Sequence, residues 1–215
     1  PHLKFITTVT TGFDWIDLEA AKNRGIVVSS CKGANARSVA EHAFGMIVDL
    51  SKRISEFDRD IRLKGAYNFS DYMGKELYQK TLGVVGLGDI GSKVAEIAHG
   101  FSMKVLGLNR SKKALFGVKQ VDLDELLRRS DIISIHLPLT EETKKLIGQD
   151  EVDVMKDGVI IVNTSREELW DKNAVIGGVA SKKIFGLGIE TTILVPIKPD
   201  DPYLQYSNII VNPHN

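Results

Sequence analysis

The chain has 215 residues, with 28 Lys and Arg against 28 Asp and Glu, so it is neutral when its 5 His are uncharged. That balance argues against a dedicated binder of nucleic acid or of an anionic membrane, which needs a basic excess or stripe, and 43% hydrophobic with 26% charged residues argues against the disordered and fibrous classes. Cys31 has no second cysteine to pair with, which suits a reducing, cytoplasmic compartment; no apolar run approaches the roughly 18 residues of a membrane span, and the opening Pro1 to Lys4 carries no signal-peptide pattern.

In chain order, LKFITT reads as a strand, Leu18 to Arg24 as a short helix and Ile26 to Val28 as a second strand, followed by the loop SSCKGANAR. Residues 1–37 are too few to bury a core alone, since independent domains seldom fall below about 50 residues. They read as the tail of a larger domain or as an appendage packed on residues 38–215. Ser38 and Glu41 form an S-x-x-E capping box ahead of Val39, Ala43, Met46, Leu50, Ile54, Phe57 and Ile61. Their steps of three and four predict one face of a single long helix, with Gly65 as its stop.

Further on, GVVG at Gly83–Gly86, VLGL at Val105–Leu108, IISI at Ile132–Ile135, VIIV at Val159–Val162, IFGLGI at Ile184–Ile189 and IIV at Ile209–Val211 read as buried strands. Helix signals lie between most of them. Asp122 stands three residues before Glu125, and Asp171 precedes KNAVIGGVASKK, so both place an acceptor at an N-cap. The Gly177–Gly178 pair weakens the second of these helices. Strand and helix alternating in this way predict right-handed crossovers and an α/β fold, a Rossmann-type doubly wound parallel sheet.

Leu82 to Gly91 reads LGVVGLGDIG, a strand running into Gly86-x-Gly88-x-x-Gly91 and then a helical stretch. Gly86 permits the tight turn, Gly88 lets backbone approach a pyrophosphate, and Gly91 lets the helix pack on its strand, with Asp89 and Ile90 completing the loop. About 20 residues on, where an acid would hold the ribose of NAD, stands Asn109, followed by Arg110, Ser111, Lys112 and Lys113. A neutral acceptor beside a guanidinium suits a 2′-phosphate, so NADP is favoured over NAD. Lys112 and Lys113 by themselves read as a solvated turn. The missing acid also argues against an S-adenosylmethionine site on the same fold.

GANARSVAEH (33–42), KTLGVVGLGDIG (80–91), DIISIHLPLTEET (131–143), VNTSRE (162–167), FGLGIETTILVP (185–196) and NIIVNPH (208–214) together resemble the D-isomer-specific 2-hydroxyacid dehydrogenases. The resemblance covers essentially the whole chain. It implies that residues 1–37 are a remnant of a flavodoxin-like substrate domain, mostly missing, and that the chain stops before the family's closing helix. It implies an oxidoreductase moving hydride between a nicotinamide cofactor and a small D-2-hydroxy or 2-keto acid, with the helix after Ser38 as the contact of a homodimer.

By matched motif, Arg166 holds the substrate carboxylate and His214 handles the proton. His136, Pro138, Thr143, Thr164, Ser165, Arg166, Glu190 and His214 join the glycine loop and Asn109 to Ser111 around the cofactor, and Thr10, Thr11 and Gly12 hold the substrate. No metal ligands are implied, and no cluster has metal spacing. The departures from the family pattern are specific. Glu190 replaces an Asp, Thr10 a frequent Gly, Lys32 a Pro and Glu167 a Gly. Val195 stands where a Glu normally raises the pKa of the catalytic His, which Val cannot do. Two expectations follow: a reductase of a small 2-keto acid, weakened at its proton relay, or a nicotinamide-binding sensor or module without turnover.

Overall fold

A computed structural model of the chain describes residues 2–13, 15–65, 73–191 and 197–213. Two parallel strands, β1 (Phe5–Thr8) and β2 (Val27–Ser30), pair from Phe5↔Val27 to Thr8↔Ser30 and are joined by α1 (Leu18–Asn23), which Asp17 caps by accepting from the Ala20 amide. This unit buries little. Phe5 is 53% exposed, Val27 60% and Val9 86%.

The predicted long helix is two helices. α2 (Ala36–Lys52) starts ahead of Ser38, so the S-x-x-E pair lies inside the helix and not at its cap. Asn35 holds the cap position without a side-chain cap bond, because its Oδ1 accepts from the Thr11 hydroxyl at 2.9 Å. Arg53 then turns left-handed at φ 56, and α3 (Ile54–Lys64) runs to Gly65. A non-glycine residue in that region costs about 1–2 kcal/mol. Local bonds offset the cost: the Arg53 guanidinium forks onto Glu56 at 2.8 Å on both sides, and Asp49 accepts from the Ser55 amide at the new helix start. Ala40, Ala43, Phe44, Met46, Ile47 and Leu50 of α2 face inward against the main sheet and its helices. The apolar stripe expected at a dimer contact is therefore covered within the chain as far as Leu50, while Ile54 and Ile61 on α3 remain exposed.

The remaining elements are β3 (Thr81–Val85), α4 (Asp89–Gly100), β4 (Lys104–Leu108), β5 (Val118–Gln120), α5 (Leu123–Arg129), β6 (Ile132–Ile135), α6 (Gln149–Val154), β7 (Val159–Asn163), α7 (Lys172–Ala180), β8 (Ile184–Thr191) and β9 (Ile209–Pro213). They build a seven-stranded sheet in the order β5-β4-β3-β6-β7-β8-β9, parallel throughout. Each predicted strand appears. β5 is an addition, since its three residues VKQ carry no apolar run. Both faces of the sheet are covered: Leu82, Ile132 and Ile160 pack toward α2 and α4, and Val85, Ile133 and Ile161 toward α5, α6 and α7. This is the doubly wound α/β architecture expected. Asp122 and Asp171 cap α5 and α7 through backbone amides. Gly177–Gly178 does not break α7, for a Cβ on Gly178 would meet Ile184 at 2.7 Å, so the glycine lets helix and strand approach. Among the described residues no helix is long and apolar enough to cross a membrane.

Candidate functional site

The strand order reverses between β3 and β6, and in an open parallel sheet a ligand crevice forms at that point, beyond the carboxyl ends of the strands. A cavity of about 530 Å³ lies there. Its floor is Gly88, Asp89, Ile90, His136, Pro138, Thr164, Ser165, Arg166 and Glu190; Thr10, Thr11 and Gly12 form the facing wall.

The glycine loop fits a closely approaching ligand. Gly86 sits at φ 99, and a Cβ would meet the His136 carbonyl oxygen at 2.6 Å, while on Gly91 it would stand 1.9 Å from the Gly86 oxygen. Gly88 differs, because nothing lies within 4 Å of its Cβ position. Open space at the amino end of α4 is where backbone amides and the helix dipole favour a phosphate.

Two residues of the crevice lining bury a polar atom that has no partner among the described residues, His136 Nδ1 and Thr164 Oγ1. An unsatisfied buried polar group costs about 1–3 kcal/mol, which a polar ligand offsets. The other ring nitrogen of His136 lies 2.8 Å from Ser134 Oγ. Burial pushes the ring down to about 4, so His136 is neutral near neutrality and is a packing or hydrogen-bonding group, not an acid.

Arg166 is delivered by a tight turn after β7. The Asn163 side chain, 1% exposed, accepts from the Ser165 amide at 2.9 Å and donates to the Arg166 carbonyl at 2.7 Å. The Ser165 hydroxyl donates to the Ile135 carbonyl at 3.2 Å, tying the turn to β6. Arg166 Nη1 donates to the Ser165 carbonyl at 2.8 Å, with the guanidinium half-buried at the crevice. Glu167 follows it in the chain. Its carboxylate pairs with Lys172 at 3.3 Å, beside the buried Tyr203 hydroxyl, which burial and the Glu167 charge push up and which accepts from Trp170 Nε1 at 2.9 Å.

Other expected site residues lie away from the crevice lining. Asn109 folds onto the glycine loop: its Oδ1 accepts from the Leu87 amide at 3.3 Å and its Nδ2 donates to the Ser111 carbonyl at 2.9 Å. Arg110 and Ser111 are exposed beside it. Lys113 is no solvated turn residue, because its ammonium donates to the Leu87 carbonyl at 2.7 Å and to Ser92 Oγ at 3.2 Å. Thr143 closes its own loop, its hydroxyl donating to the Pro138 carbonyl at 2.7 Å. His214 and Val195 lie outside the described residues.

Residues 44–215 match the D-isomer specific 2-hydroxyacid dehydrogenase, NAD binding domain. The chain belongs to this dehydrogenase family. It is 37% identical to the glyoxylate reductase of Korarchaeum cryptofilum, covering 100% of the chain and 67% of that protein. Among solved structures it resembles the D-lactate dehydrogenase of Aquifex aeolicus complexed with NAD and lactic acid (36% identical, TM-score 0.87, 100% of this chain and 70% of that one). It also resembles an acyclic imino acid reductase in complex with NADPH and D-Arg (34% identical, TM-score 0.89, 99% and 68%). The chain spans about two thirds of the length of these three. Members of the family are NAD(P)-dependent oxidoreductases acting on CH–OH donors.

Within this dehydrogenase fold the crevice has lining residues that the motifs did not single out for the site: Phe13, Trp15, Lys32, Asn35 and Val39 on the amino-terminal side, Leu137 and Leu139 on the other. The two leucines sit inside the motif HLPLT, whereas Trp15 and Lys32 stand in loops without any periodic signal.

Proposed function

We propose that the chain binds NADP in preference to NAD along the crevice and that the protein reduces a small 2-keto acid of the glyoxylate or hydroxypyruvate kind. The observation carrying this reading is the open space at Gly88, at the amino end of α4, in the same crevice as the half-buried Arg166. The dinucleotide supplies the hydride when bound. Gly88 to Gly91 hold its diphosphate, and His136, Thr164, Ser165 and Glu190 offer polar atoms toward the nicotinamide half. Arg110, with Ser111 and the Asn109 turn, receives the 2′-phosphate; an exposed guanidinium with no partner among the described residues is free to do so. Arg166 orients the substrate carboxylate with the amides of Thr10 to Gly12 opposite, and His214 donates the proton during reduction. A homodimer in a cytoplasmic setting completes this reading.

Titration with NADPH and NADH tests it: NADPH is expected to bind more tightly, and the preference to disappear in Arg110→Ala. A preference for NADH in the parent chain refutes the phosphate assignment. Val195 favours a second reading, a cofactor-binding protein without turnover, because it supplies no partner to His214. Absence of turnover on any 2-keto acid despite tight dinucleotide binding supports that reading. A higher rate and a raised pH optimum in Val195→Glu support the weakened reductase.

A further inference from the structure

Lys32 stands in the loop between β2 and α2 and lines the same crevice as Gly88, Asp89 and Ile90. The loop rests on the first turn of α4, since a Cβ on Gly33 would lie 3.4 Å from Asp89 Oδ2. That turn has an unfavourable charge for its ligand. Asp89 is the acidic residue of the first turn, where a carboxylate suits the helix dipole but opposes the negative diphosphate of a dinucleotide.

Three cations around α4 are engaged elsewhere. Lys93 pairs with Glu96 at 2.8 Å, Arg37 approaches the same carboxylate at 3.7 Å, and Lys113 is held by the Leu87 carbonyl at 2.7 Å. Lys32 is exposed and makes no ion pair or hydrogen bond among the described residues. His136 Nδ1 and Thr164 Oγ1, on residues of the same lining, are buried without a partner among the described residues.

We infer that Lys32 is a dinucleotide-binding residue whose ammonium faces the diphosphate across the crevice and offsets the charge of Asp89. This rests on the cofactor reading above and assigns it a cation from outside the glycine loop. Because NADH and NADPH share the diphosphate, Lys32 serves both, unlike Arg110.

The test is a pair of titrations, NADH and NADPH, on the parent chain, Lys32→Ala and Lys32→Arg, with thermal midpoints measured beside them to show that the exposed substitution leaves the fold intact. Lys32→Ala is expected to raise both dissociation constants by about tenfold, the scale of one charge-assisted contact. Lys32→Arg is expected to restore most of that loss, and the gap between Lys32→Ala and the parent to narrow at about 0.5 M salt. Unchanged constants overturn the inference, as does a loss confined to NADPH, which would place the lysine at the adenosine phosphate. A parent chain that binds neither dinucleotide refutes the cofactor reading itself; a parent that binds while Lys32→Ala binds equally well refutes only the role of the lysine.

Discussion

The two walls of the crevice are built unequally. The floor hangs from β3, β6 and β7, whose strands β6 and β7 are buried along their whole length in a sheet covered on both faces. The opposite wall, Thr10 to Gly12, extends from a two-stranded sheet whose Phe5 and Val27 are more than half exposed. A side-chain bond from Thr11 to Asn35 links that wall to the cap of α2. A ligand gripped by the floor meets a preformed surface, while one gripped by both walls must also order the weaker one. On the proposed reading, most of the dinucleotide contacts fall on the rigid body, and the substrate contacts proposed at Thr10 to Gly12 depend on a wall with little core of its own.

The contrast is open to attack by substitution, the strongest first. Gly91→Val places a side chain where even a Cβ stands 1.9 Å from the Gly86 oxygen. It is expected to cost more than about 4 kcal/mol in urea unfolding and to abolish dinucleotide binding. Ile133→Ala, in the middle of β6 and 0% exposed, is expected to cost about 3 kcal/mol, whereas Val27→Ala at 60% exposure costs less than about 0.5 kcal/mol. Equal costs would break the comparison.

Acid sharpens it further. His136 is held neutral by burial, at about 4 against 6.5 when unfolded, so between those values the unfolded chain binds the extra proton. The stabilisation is complete above pH 6.5 and is lost as the pH falls toward 4. Between about pH 7 and pH 5 the loss is about 2 kcal/mol from this ring, a component that His136→Gln removes from the pH dependence of the urea midpoint. A local effect is expected from Thr11→Val, which deletes the bond to Asn35. Global stability falls by about 1 kcal/mol or less, yet amide exchange over residues 5–12 accelerates while β6 and β7 keep their protection.

Much of the rigid body is legible in the sequence because its signals are local. Runs such as IISI and VIIV, the caps Asp122 and Asp171 and the spacing of Gly86, Gly88 and Gly91 each show in residue types a few positions apart, whatever distant partner they later meet. The break at Arg53 is not, for neither glycine nor proline marks it, and the Glu56 carboxylate that holds it looks like any solvated acid. Burial pushes Glu56 up, but the bonds from Arg53 and Ser207 win and hold it below the usual carboxylate range. The bonds of Lys113 and the partner of Glu167 are hidden for a related reason: Leu87 and Lys172 are brought to them by how the chain folds back, not by residue type. Lys32 and Trp15 come to the crevice through irregular loops, where no period reveals which way a side chain faces.

The central claim is that the dinucleotide is held chiefly by the seven-stranded body, with Lys32 as its proposed contact from the amino-terminal side and residues 10–12 left to the substrate. Amide hydrogen exchange of the chain with and without saturating NADPH tests it most directly. Protection is predicted to rise at residues 86–91, 109–113 and 163–166 and to stay unchanged over residues 5–12. Equal protection of both walls, or an unprotected glycine loop, would contradict the account.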